Sequence, residues 1–204
     1  MLSVPWVVRA QNYGVALQRV DSISKKEVVI LQFEHSKAVI FPASYAQKLF
    51  GNEGHWKEYK FYTPDSALVR RIDKEILSQY CAAATRFNDG NWRTTIAYSE
   101  TADDKSSLKL AKKQMSESKK RFAKYCKKWK ADGKYWNKQY IGYINPQGEK
   151  IIYLQLLDFR NDLYHLSESF KLSWIDGWHG WFETNRITMH YHIDKHLLTI
   201  NEDI

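Results

Sequence analysis

The sequence predicts an α+β protein in which two main helices pack on an antiparallel meander sheet, preceded by a small N-terminal β-hairpin and a short helix. Three observations predict it. Between residues 63 and 131 apolar residues recur every three or four positions, first as Leu68, Ile72, Ile76, Tyr80, Ala83 and Phe87, then as Leu108, Ala111, Met115, Phe122, Tyr125 and Trp129, with only Ser118 interrupting the second stripe. That spacing lays one apolar stripe along a helix. From Tyr135 onward the period drops to two, as on strands with alternating sides. Finally, 204 residues with 15% aromatic and 26% charged side chains suit one substantial core and not a disordered chain. A single α+β domain is expected over 12–204.

In chain order, KEVVILQF and AVIF flank the polar Glu34-His35-Ser36-Lys37 and read as a hairpin. Pro42-Ala43-Ser44 opens a short helix, SYAQKLF, which Gly51 ends, and the chain from there to Tyr62 reads as loop. Thr63-Pro64-Asp65 supplies a hydroxyl cap, a proline at the first helical position and an acid facing the positive end of the dipole. This helix should stop near Asn88-Asp89-Gly90. Residues 91–101 are ambiguous, because WRTTIAY is strand-like but stands alone. The second helix is expected from about Asp103 to Ala131. Asp103 and Asp104 at its start and Lys127, Lys128 and Lys130 at its end complement the macrodipole, each by roughly 0.3–1 kcal/mol.

WNKQYIGYIN and KIIYLQLLDF then flank Asn145-Pro146-Gln147-Gly148, a proline-led hairpin turn. FKLSWI is expected as a further strand, DGWHG as the hairpin turn after it, and Trp181 to Ile193 as one long strand leading to a turn at Asp194-Lys195-His196 and the final LLTI. Counting by twos from Trp181 puts Ile187, Met189, Tyr191 and Ile193 on the core face. Phe182, Thr188, His190 and His192 fall on the opposite face, expected to be open.

The formal charge of +8 is unevenly placed. From Asp103 to Lys138 there are 13 Lys/Arg against 4 Asp/Glu, leaving 18 against 19 elsewhere. A solvated helix face is the plain explanation. The sharper one is an anionic partner, nucleic acid or another anionic polymer, contacted through the basic segment 103–138 by Lys112, Lys113, Lys119, Lys120, Lys127 and Lys128. The lysines alternate with Tyr125, Trp129, Tyr135 and Trp136, but the helical spacing assigns Tyr125 and Trp129 to the buried stripe, and Arg121 is the sole arginine on the second helix. No run of about 20 apolar residues exists to span a membrane.

The opening MLSVPWVVRAQ has small or β-branched residues three and one before Gln11, as a signal-peptidase site does, so residues 1–11 are a candidate signal-peptide remnant. Export to the periplasm or beyond follows from that; a cytoplasmic location follows if Met1 is the mature start, with Val4 to Val8 then forming an edge strand. Cys81 and Cys126 lack zinc-site or C-x-x-C spacing and read as small buried residues; their pairing depends on the compartment.

The combination FPASYAQKLFG, YTPDSALVRRIDKEI and NKQYIGYINPQGEKIIYL, ending in W-I-D-G and an alternating strand, resembles a group of small, exported bacterial proteins of unknown function. The resemblance covers most of residues 38–200 and rests on Gln139-Tyr140, Gly142, Gly148 to Tyr153 and Asp176-Gly177. These mark turns and strands, so the resemblance implies architecture and export and no activity. Where that group has Asp-Gly-Gly, this chain has Asp176-Gly177-Trp178. Helices followed by a meander also resemble the cystatin-like arrangement, by element order alone.

His190 and His192 form an H-x-H pair on one strand face, with His196 and His179 as neighbours; such a pair can share a metal, but no third ligand stands at a fitting spacing. No nucleotide, hydrolase or zincin motif is present, so no cofactor is implied. Asp158 and Asp162 form the one candidate carboxylate pair, beside a loop. The sequence is therefore read as an exported binding or interaction module for a protein or small molecule, with Trp178, His179, Phe182, His190 and His192 on the sheet face and hairpin tip as the candidate ligand contacts. A metal-dependent enzyme using the sheet-face histidines is the remaining alternative.

Overall fold

The computed structural model describes residues 27–52, 54–101, 105–177 and 180–200. The N-terminal segment, with its cleavage-site and edge-strand expectations, lies outside these, as do Trp178 and His179. The elements run β1 (Val29–Gln32), β2 (Lys37–Ile40), α1 (Ala43–Phe50), β3 (Lys60–Tyr62), α2 (Ser66–Thr101), α3 (Lys105–Asp132), β4 (Asn137–Ile144), β5 (Lys150–Leu157), α4 (Leu166–Ser169), α5 (Trp181–Asn185), β6 (Arg186–His192) and β7 (Leu197–Ile200). The fold is α+β: a long helix pair on a predominantly antiparallel sheet, with an N-terminal hairpin.

The sheet order is β1-β2-β4-β5-β6-β7, with β3 also on β4. β2 runs parallel to the first half of β4 and β3 antiparallel to its second half, so the two share one edge end to end. β3 is too short to show a period, which is why 52–62 reads as loop. Gly142 lies where β3 crosses closely: a Cβ there would fall 2.8 Å from the Tyr62 carbonyl oxygen. Gly148, at φ +82°, closes the β4–β5 turn by donating 2.9 Å to the Asn145 carbonyl.

Helix α2 starts two residues later than the sequence suggests. Asp65 is the cap, accepting from Leu68 N at 2.7 Å, while the Thr63 hydroxyl instead accepts from Ala43 N at the start of α1. The expected stop at Asn88-Asp89-Gly90 does not occur. The helix continues through WRTTIAY to Thr101, although a mid-helix glycine costs about 1 kcal/mol. Packing against α3 outweighs that cost. Ser99 and Ala111 are buried, Lys119 Nζ reaches Asp89 at 3.0 Å, and the Thr95 and Ser99 hydroxyls bond back to carbonyls one turn earlier.

Cys81 and Cys126 join α2 to α3 in a disulfide across 45 positions. Closing a loop of that size in the unfolded chain is worth about 2–4 kcal/mol. The Cys81→Ser/Cys126→Ser protein is expected to lose that much, as a lower urea midpoint with a somewhat steeper slope, because the unfolded chain without the bridge exposes more surface. An unshifted midpoint would show that helix packing alone fixes the pair.

The face of the sheet toward α2 and α3 carries the expected core: Met189 and Tyr191 are fully buried with Tyr140, Ile152, Leu154, Ile72, Ile76 and Trp129, and Ile187 and Ile193 pack against them. The opposite face is not open, which corrects the expectation. It is covered by α1 and by side chains from 159–175 and 181–182, forming a second core of Val39, Phe41, Tyr45, Phe50, Ile141, Leu157, Phe170, Trp174, Trp181 and Phe182.

The cover also explains why FKLSWI is not a strand, so that no strand pair flanks Asp176-Gly177. Residues 174–177 follow the sheet face in irregular backbone whose polar groups are met by side chains. Gln139 Nε2 donates to the Phe170 and Ser173 carbonyls at 2.7 and 2.8 Å, and its Oε1 accepts from Ile175 N at 3.0 Å. Gln155 Nε2 donates to the Ile175 carbonyl at 2.8 Å and to Gln139 Oε1 at 2.5 Å, and the Tyr45 hydroxyl accepts from Trp174 N at 2.8 Å. With those groups satisfied, no ladder partner is required. Trp181 to Asn185 is helix, and β6 begins only at Arg186.

Candidate functional site

The histidine pair keeps its shared strand face but not its exposure. His190 is 5% exposed, its ring stacked on Tyr153 with centroids 4.8 Å apart, and the Tyr143 hydroxyl lies 3.0 Å from its Nδ1. Burial pushes the Tyr153 phenol up to about 12, so that ring is neutral beside the imidazole at physiological pH. His192 sits at the end of β6, partly buried, with Nδ1 3.9 Å from Glu149 Oε2; Glu149 also pairs with Lys195. Among the described residues no group of three His, Cys, Asp or Glu is placed to hold a metal ion. Phe182 is on α5, not on the strand, and is 3% exposed beneath the Arg186 guanidinium. The open-face site therefore does not form as expected: the second aromatic core occupies that surface.

The carboxylate pair is structural. Asp158 accepts from Arg160 Nε at 2.8 Å while the same guanidinium spans to Asp132, and Asp162 caps α4 through Leu166 N and Ser167 N. Arg160 holds the Asp132 carboxyl below the usual carboxylate range.

A cleft of about 420 Å³ opens instead on the helix side, at the start of β6, where that strand extends past its pairing with β7. Phe87, Phe122 and Ile187 are its apolar lining, Asn88, Glu183, Arg186 and Thr188 supply polar groups, and Phe182 and Gly177 also line it. Arg186, 18% exposed, pairs with Asp176, whose carboxylate also accepts from Gly177 N at 2.8 Å. Of the candidates read from sequence, Phe182 alone lines this cleft among the described residues. Arg186, Asn88 and Glu183 were missed. Arg186 falls inside an apparently continuous strand pattern, and Asn88 inside what reads as a helix stop.

Of the six candidate lysines, two turn toward α2: Lys112 Nζ lies 3.9 Å from Glu100 and Lys119 pairs with Asp89. Lys113, Lys120, Lys127 and Lys128 are exposed on α3. No helix among the described residues is long and apolar enough to cross a membrane. Comparison with protein-family models, curated proteins and solved structures finds no match.

Proposed function

We propose that the protein is an exported binding module and that its ligand enters the cleft between the helix pair and the start of β6. The observation that carries this reading is the cleft's composition. Its volume is in the lower range expected of a small-molecule site, and its lining is mixed and more polar than apolar, with Phe87, Phe122 and Ile187 beside Asn88, Glu183, Arg186 and Thr188. A ligand with an apolar body and a polar head suits it: Phe87, Phe122 and Ile187 take the body, and Asn88, Glu183 and Arg186 orient the head. Arg186 is held by Asp176 and the Phe182 ring, so its guanidinium is presented in one orientation. The Cys81–Cys126 disulfide supports the export part of the reading, since such bridges persist in oxidising compartments.

The amphiphilic dye 8-anilinonaphthalene-1-sulfonate tests the site. Its fluorescence should rise with the wild-type protein and fall to background with Glu183→Trp, which plugs the cleft from an exposed rim position. Ala82→Trp, which fills the neighbouring α2–α3 groove instead, should leave the signal intact. Equal signals from both variants would remove the cleft as the binding site.

A further inference from the structure

We propose that the outer face of α3 is a docking ridge for a linear phosphodiester polymer, gripped through its backbone charge. At 3.6 residues per turn, Lys109, Lys113, Lys120, Lys124 and Lys127 fall within about 60° of arc. They lie opposite Ala111 and Trp129, the residues α3 buries. All five are exposed, and none has an acidic partner among the described residues. The row is about 27 Å long at 1.5 Å per residue.

The helix dipole accounts for Lys127, near the C-terminal end of α3, and for none of the other four. The lysines that bind α2 are the flanking Lys112 and Lys119, not the crest. On the crest, Lys109/Lys113 and Lys120/Lys124 are like charges one turn apart, which oppose helix formation, and Glu117 is the single acid between 105 and 131. A solvated face would be expected to mix signs; this one concentrates one sign along a line.

The shape of the surface selects the partner. A membrane-binding helix buries its apolar face in lipid, whereas the apolar face of α3 is spent on α2 and the sheet. No ring stands on the crest for bases to stack on: Tyr125 leans on Tyr80, Phe122 and Trp129. A narrow row of ammonium groups without arginine forks suits phosphates spaced along a flexible chain, met as point charges and without sequence readout.

Fluorescence anisotropy with labelled oligo(dT) of about 30 nucleotides tests the ridge. Five phosphate contacts predict that log affinity falls against log salt with slope about −3.5. The variant with Lys109, Lys113, Lys120, Lys124 and Lys127 all changed to Gln should lose binding while retaining its circular dichroism spectrum. A charge-matched control with Lys37, Lys57, Lys60, Lys74 and Lys171 changed to Gln should keep both affinity and slope. The proposal is overturned by equal loss in the two variants, by no binding at low salt, or by binding to phosphatidylglycerol vesicles without binding to the oligonucleotide.

Discussion

Replacing Gln139 with leucine is expected to destabilise the protein by about 3–6 kcal/mol, since each buried polar group left without a partner costs roughly 1–3 kcal/mol. Gln139 is fully buried and meets three backbone groups of the covering segment: the Phe170 and Ser173 carbonyls and the Ile175 amide. Leucine fills a similar volume but satisfies none of them, and Gln155 also loses one of its two acceptors. The loss should be local before it is global. Amides of Trp174 and Ile175 should exchange with solvent far faster in the variant, while the β4–β5 ladder keeps its protection. Urea unfolding gives the total, and a loss under about 1 kcal/mol would mean that the segment is held by its aromatic side chains and not by the glutamines.

Lys138→Ala is expected to cost about 3–5 kcal/mol, because removing one partner of a buried pair strands the other. Lys138 is 1% exposed on the helix side of β4, with Nζ 3.0 Å from both Asp73 Oδ1 and Ser36 Oγ and 5.4 Å from the centre of the Phe33 ring. One ammonium thus ties α2, the β1–β2 turn and β4 together. The same Asp73 sits near the Tyr140 hydroxyl, whose titration burial and then that carboxylate push well upward. If the penalty is the uncompensated carboxylate, the double variant Lys138→Met/Asp73→Leu should recover most of it, an apolar pair of similar volume being about neutral against the ion pair. A double variant as unstable as Lys138→Ala would place the loss in packing.

The parts of the fold legible in the sequence are those where one physical signal dominates. The helix stripes from Leu68 to Phe87 and from Leu108 to Trp129 are periodic. The Asn145–Gly148 turn has its proline and glycine where a hairpin needs them. The parity of Ile187, Met189 and Tyr191 on β6 survives even though the strand starts later than Trp181.

The failures share a cause: local pattern does not report what lies on the far side of an element. WRTTIAY has strand propensity, but a neighbouring helix decides it. DGWHG has hairpin chemistry, but Gln139 and Gln155 bond the preceding backbone before a strand can. A usable signal for the covered face was present in KIIYLQLL, whose apolar residues nearly fill both parities, as strands buried on both sides do. The candidate site followed the same error. His190 belongs to the second core because both faces of the sheet are covered, and the cleft that remains is built from residues up to about 120 positions apart, which no local window joins.

Coverage of both sheet faces is the central claim, and the reactivity of His190 tests it most directly. Limited treatment with diethyl pyrocarbonate, followed by peptide mass mapping, should modify His165 and His196, which are exposed. His190 should react only as the protein unfolds. Modification of His190 in the folded protein at a rate matching His165 would contradict the account, returning the H-x-H face to solvent and removing the second core.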